Sequence, residues 1–187
     1  MHDHRYDLRV AVFVALLRGI NVGKHRRVAM ADLRAALADA GYADVTTHLQ
    51  SGNVILESRE RSPDTVERSI EKTLRADLDL DIDVIVRRAS DLGKVAKNNP
   101  FLGRGTDPAT LHVGFLKRKP AAAAARALTG TDFGDDELVL KGAELYLRYP
   151  GGYGRSKMTG ATLERVLRTP VTVRNWKVVT KLVELTT

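Results

Sequence analysis

The sequence predicts an α+β fold of two ferredoxin-like βαββαβ subdomains in tandem, followed by a C-terminal helix. Three observations carry that expectation. Short apolar runs of strand length alternate with segments whose apolar residues recur every three or four positions. The order strand, helix, strand, strand, helix, strand is traversed twice along the chain. Gly, Pro, Asn and Ser fall at the boundaries between segments, where turns and caps need them. A βαββαβ unit closes most simply as an antiparallel sheet with both helices on one face, and its crossovers are expected to be right-handed.

Residues 10–17 (VAVFVALL) form a continuous apolar run, which reads as a central strand buried on both faces. A glycine-bearing loop covers residues 18–28. Met30, Leu33, Leu37 and Ala40 then mark one helix face, ended by Gly41 in a left-handed conformation. Residues 45–49 and 54–57 are short strands joined through Gln50, Ser51, Gly52 and Asn53. Ser62 followed by Pro63 supplies an N-cap and a first helical residue, and Val66, Ile70, Leu74 and Leu78 supply the inner face. Residues 82–86 are the fourth strand. Ser90 is expected to cap a short connecting helix, and Asn98, Asn99 and Pro100 stop it.

The order then repeats. Residues 111–116 form a strand, Pro120 opens an alanine-rich helix, and residues 137–140 and 144–149 form a hairpin around Lys141 and Gly142. Residues 159–167 form a helix with Leu163, Val166 and Leu167 inward. Residues 171–173 form the last strand, and residues 176–185 a final helix with Val179, Leu182 and Leu185 inward. The expected division is 8–100 for the first subdomain with its connecting helix, 101–109 for a linker, and 110–187 for the second subdomain with the final helix.

Composition narrows the function classes. The chain has no cysteine, which excludes disulfides, thiolate chemistry and Cys-rich zinc sites. Its five histidines show no metal-ligand spacing, so no metal is expected, and the cofactor is unknown. The first apolar run is too short for a signal peptide or a membrane span, so the expected location is cytoplasmic, with no membrane partner. The formal charge is +7. Residues 101–187 hold 14 Lys and Arg against 8 Asp and Glu, so the positive excess belongs to the second half. A basic half suits anionic partners.

Four loop motifs carry the candidate chemistry. Gly19-Ile20-Asn21-Val22-Gly23-Lys24 has three residues between its glycines and His25 after the lysine. A phosphate-binding P-loop needs four, and Ser or Thr after the lysine. An anion nest remains open there, with backbone N–H groups near a helix start and charge from Arg18, Lys24, Arg26 and Arg27. Gln50, Ser51 and Asn53 offer neutral donors and acceptors at the rim of a turn centred on Ser51 and Gly52. Arg155, Ser156 and Lys157 follow three glycines and run toward a helix start, with Arg155 a planar fork for phosphate or carboxylate. Arg174 and Asn175 precede Trp176, with Asn175 a candidate N-cap and Trp176 a core residue. In a βαββαβ unit the first two loops share one sheet edge, and in the second half residues 150–159 and 174–176 share the opposite edge.

Together, Leu16-Leu17-Arg18-Gly19-Ile20-Asn21-Val22-Gly23, Gln50-Ser51-Gly52-Asn53, Gly154-Arg155-Ser156-Lys157 and Arg174-Asn175-Trp176 resemble the bacterial domain-of-unknown-function 1697 family. The resemblance runs from about residue 10 to residue 185. It implies one α+β protein with two ferredoxin-like subdomains, and it implies no activity. Lys24 stands where the family often has a second glycine, which adds a charge to that loop.

The leading expectation is a protein that binds an anionic, phosphorylated small ligand at loops between the two subdomains, through Arg18, Asn21, Lys24, Gln50, Ser51, Asn53, Arg155, Ser156, Lys157, Arg174 and Asn175. Two alternatives stand beside it. One is an enzyme acting on a phosphorylated or nucleotide-like substrate, whose general acid or base the sequence does not name. Asp132, Asp135 and Asp136 are available for that role but read as turn residues. The other is a nucleic-acid-binding protein, which would need aromatic residues on an open sheet face. His48 and His112 lie in strand patterns and read as structural.

Overall fold

The computed structural model describes residues 10–23, 26–103 and 105–187. The first half contains β1 (Ala11–Leu17), α1 (Met30–Asp39), β2 (Ala43–His48), β3 (Asn53–Ser58), α2 (Pro63–Leu78), β4 (Val84–Arg88) and α3 (Ala89–Lys97). The second contains β5 (Leu111–Leu116), α4 (Ala122–Thr129), β6 (Glu137–Lys141), β7 (Glu144–Arg148), α5 (Gly160–Leu167), β8 (Val171–Asn175) and α6 (Trp176–Leu185). The two sheets have strand orders β2-β3-β1-β4 and β6-β7-β5-β8, with every pairing antiparallel. Both halves are thus ferredoxin-like.

The period of two in the strands explains why β1 is apolar throughout. Phe13, Ala15 and Leu17 face α1 and α2 in one core, with Val54 and Leu56 of β3. Val14 and Leu16 point the other way, with Ile55 and Ile85, into a second core. That second core is shared. Val113 and Phe115 of β5 and Tyr146 of β7 enter it from the other sheet, and Leu92, Val95, Val179 and Leu182 bring in α3 and α6. A third core lies between the second sheet and its helices, built on Leu116, Leu145, Leu147, Leu163 and Leu167. Each fully buried Leu, Val or Phe contributes roughly 1.5–3 kcal/mol relative to exposure. The halves are therefore joined by a dry core as well as by a linker.

Caps fall where their residue types favour them. Ser62 Oγ accepts from Thr65 N, Thr159 Oγ1 from Thr162 N, and Asn175 Oδ1 from Val178 N. Gly41, at φ +95°, ends α1. Three sequence expectations need correction. The α3 helix begins at Ala89, and no side chain caps it. Its start follows β4 directly, so no turn separates them in which Ser90 would act as cap. The fourth strand begins at Val84, two residues later than the apolar pattern suggests, because its partner β1 ends at Leu17, which pairs with Val84. Leu185 is 47% exposed at the end of α6, because the shared core stops one turn earlier at Leu182.

Candidate functional site

The junction between the halves absorbs much of the expected binding chemistry. Arg174 of β8 is buried against the first half. Its Nε donates to Asn53 Oδ1 at 2.7 Å, and Nη2 donates to Leu17 O at 2.9 Å and Ser51 O at 3.1 Å. Nη1 donates to Thr172 Oγ1 at 2.7 Å and Val173 O at 3.1 Å. A guanidinium has five N–H donors, and all five are used. No carboxylate is among the acceptors, so burial pulls the Arg174 pKa down to about 10. Asn53, 0% exposed, turns its Nδ2 to His48 O and Ser51 Oγ. Arg174 and Asn53, expected at the rim of a ligand site, are instead interior clamps, because the shared core forces any polar group inside it to find protein partners.

Arg18 is likewise engaged. Its Nε and Nη2 each meet a carboxylate oxygen of Glu164 on α5 at 2.5 Å, and Glu164 Oε1 also accepts from Val171 N. Lys117 sits between Glu71 and Asp83 at 2.6 Å from each, and Arg118 reaches the buried Glu67 at 2.7 Å. Arg87 bonds Glu144 at 2.8 Å and the carbonyl of Leu116 at 2.7 Å. Each of these pairs crosses from one half to the other. A good part of the basic excess therefore holds the molecule together.

Asn21, at φ +54°, closes its own loop. Its Oδ1 accepts from Val28 N at 2.9 Å, and its Nδ2 donates to Val28 O and Gln50 O at 3.1 and 2.8 Å. The loop after β1 and the β2–β3 hairpin thus share an edge, as their topology requires. Lys24 lies outside the described residues. Gln50 is exposed, and Ser51 is held through its carbonyl by Arg174. Arg155 and Lys157 are exposed and lack side-chain partners among the described residues, but their cleft of about 290 Å³ also holds Asp132, Asp135 and Asp136. Ser156 donates to Asp136 at 2.5 Å and accepts from Met158 N. That loop balances its own charge.

A cleft of about 250 Å³ holds Arg18, Arg26, Arg75 and Lys117 together with Glu71, Asp81 and Asp83, and one of about 440 Å³ gathers Asn21, Arg27 and Gln50. Two further clefts follow α6. One cleft of about 540 Å³ is lined by His48 and Leu49 from the first half and by Asn175, Lys177, Thr180, Lys181 and one carboxylate, Glu184, from the second. Leu49 adopts φ +62° and is 54% exposed, which is unusual for a bulky apolar residue and sets an aliphatic wall on the cleft. Asn175 spends its carbonyl oxygen on the cap, and its amide N–H groups have no protein partner among the described residues. Lys177 has no carboxylate within ion-pair distance among the described residues, whereas Lys181 is 2.7 Å from Glu184. A neighbouring cleft of about 690 Å³ shares Asn175, Lys177 and Thr180 and adds His112, Tyr153 and Trp176. Both volumes fall in the range that encloses small molecules. Of the residues expected to bind a ligand, only Asn175 lies here; His48, His112 and Trp176, expected to be structural, also line these clefts. Lys177 and Lys181 have a signal in the sequence: two cations four apart, just after an N-cap, on a helix whose only other polar residues are Thr180 and Glu184.

Among the described residues no group of three or more His, Asp or Glu is placed to hold a metal ion. No helix among them is long and apolar enough to cross a membrane. Phe13 lies under the helices of the first half and Phe115 in the shared core, so neither offers the stacking platform of an RNA-binding sheet.

The family model for proteins of unknown function DUF1697 matches residues 10–146. The chain belongs to the DUF1697 family. Its fold is similar to that of the conserved bacterial protein SP0830 from Streptococcus pneumoniae, with a TM-score of 0.71 at 21% identity over 95% of this chain and 99% of that one. The likeness shows that this DUF1697 protein shares the whole two-part architecture of SP0830. A search of curated proteins finds no relative of this chain.

Proposed function

We propose that the protein binds an anionic, phosphorylated small ligand in the cleft along α6, between the β2–β3 hairpin of one half and residues 175–181 of the other. One observation carries the reading: this cleft is walled by both halves and retains a cation, Lys177, that no protein carboxylate neutralises among the described residues. The amide of Asn175 and the ring of His48 add hydrogen-bonding groups beside it. The rival positions are less suited. Arg18 and Arg174 have their donors committed internally, Arg155 and Lys157 face three aspartates, and the cleft of Asn21, Arg27 and Gln50 is walled by the first half alone, with the Asn21 amide spent on its own loop. An anion beside Arg18, Arg155 or Lys157 would compete with carboxylates already in place.

Isothermal titration of the full chain with inorganic pyrophosphate tests the proposal. Binding is expected to weaken about ten-fold or more in the Lys177→Ala variant, since a charge-assisted hydrogen bond contributes about 1.5–3 kcal/mol. Lys177 is exposed on α6, so the variant keeps its fold. Equal affinity in the variant and the parent, or no binding by the parent, rules the reading out.

A further inference from the structure

The second cleft says more about the ligand than its charge. Tyr153 lies in a single turn of 3₁₀ helix within the loop that follows β7, flanked by glycines, and is 39% exposed. An exposed tyrosine in such a loop would ordinarily sample many positions. Here its ring is braced on two sides. It stacks on His112 at 5.2 Å between centroids with 22° between planes, and it meets Tyr149 edge-on at 5.1 Å and 81°. His112 and Tyr149 also meet edge-on, at 5.1 Å. Tyr149 is 0% exposed and donates its hydroxyl to Met158 O at 3.0 Å, so the base of the group is fixed. The result is an aromatic ledge held in place before any ligand arrives, which lowers the ordering cost of binding.

This ledge opens onto the cleft of about 690 Å³, beside Pro108 and Trp176. The same cleft reaches Asn175 and Lys177, which also wall the neighbouring cleft. An aromatic platform therefore shares a cleft with an uncompensated cation, the Asn175 amide and the Thr180 hydroxyl. The chemistry that matches both ends is a planar heterocycle joined to a phosphate. We infer that the ligand is a mononucleotide or a close chemical relative, its ring stacked on Tyr153, which His112 backs from the other side, and its phosphate at Lys177. The inference rests on the anion-binding reading above and adds to it the requirement for a flat aromatic ring.

The test titrates the full chain with three probes: inorganic phosphate, the four common ribonucleoside monophosphates, and adenosine. Trp176 fluorescence and calorimetry report binding. At least one monophosphate is expected to bind about ten-fold tighter than inorganic phosphate, since stacking one base on an aromatic side chain commonly contributes that much. Tyr153→Ala should remove this advantage and leave the affinity for inorganic phosphate unchanged, and Tyr153→Phe should retain it. Lys177→Ala should weaken inorganic phosphate and the monophosphates alike and leave adenosine, which has no phosphate, unchanged. If every monophosphate binds no better than phosphate, or if Tyr153→Ala leaves the preference intact, the heterocycle inference fails while the anion site stands. If neither phosphate nor any nucleotide binds, both fall together.

Discussion

Arg174 donates through Nε to Asn53 Oδ1 at 2.7 Å, across 121 residues of sequence and from one ferredoxin-like half to the other. The contact ties the edge strand of the second sheet to the β2–β3 hairpin of the first. The other four guanidinium donors are taken by three backbone carbonyls and the Thr172 hydroxyl, so this cation is buried with neutral oxygen partners alone. Such a group is tolerable only because every donor is satisfied.

Removing it should be severe. Arg174→Ala would leave Leu17 O and Asn53 Oδ1 short of a donor inside the junction, and a loss of about 2–5 kcal/mol in unfolding free energy is expected. Asn53→Ala alone should lose less, and the double variant should show a coupling of about 1–3 kcal/mol. Urea denaturation measures all three. A loss below 1 kcal/mol for Arg174→Ala would mean that the clamp is incidental.

Gly52 stands under the same hairpin at φ +78°. A Cβ there would lie 2.6 Å from Ile20 Cδ1 and 2.8 Å from Leu17 Cβ. Leu17 is a buried strand residue that cannot swing away. Gly52→Ala should therefore destabilise by about 1–3 kcal/mol from overpacking, with roughly 1–2 kcal/mol more from the left-handed backbone. Thermal unfolding checks it, and an unchanged melting temperature would show that the hairpin relaxes freely.

His112 gives the fold a pH dependence. Burial holds its pKa below the ordinary value of 6.5, with a smaller opposing effect from the Thr110 carbonyl. Above pH 6.5 both folded and unfolded chains carry it neutral. As pH falls below 6.5 the unfolded chain takes up a proton that the folded chain resists, and stability declines until the folded pKa is passed. Glu67 acts in the opposite sense: burial raises its pKa, so folding gains as pH falls toward 4.5, although Arg118 offsets part of that shift. The His112→Phe variant isolates the first effect. Its melting temperature should fall less than that of the parent between pH 7 and pH 5, and parallel pH profiles would refute the assignment.

The architecture was legible in the sequence because it depends on periodicity. The apolar run of β1, the Ser62 and Asn175 caps and the turn at Gly52 are local signals that tertiary contacts reinforced. The site was less legible because burial of a polar residue depends on what crosses it from afar. Nothing near Arg174 in sequence indicates that Asn53 will meet it, and nothing near Arg18 indicates Glu164. Glycine-rich loops with basic residues drew attention to residues 18–24 and 154–157. The uncompensated lysine instead stands on α6, where Lys177 follows the cap at Asn175. The ledge of His112, Tyr149 and Tyr153 joins β5 to the end of β7 across more than thirty residues, a pairing fixed only once the strand register places them together.

The central claim is that an anion enters at α6 and not at the glycine loops. A ¹⁵N-edited NMR titration of the full chain with inorganic pyrophosphate tests it most directly. The account predicts saturable shifts at His48, Leu49 and residues 175–181, with Arg18 and Arg174 side-chain signals unmoved. Shifts confined to residues 151–157 or 21–29, or no saturable shift anywhere, would contradict it.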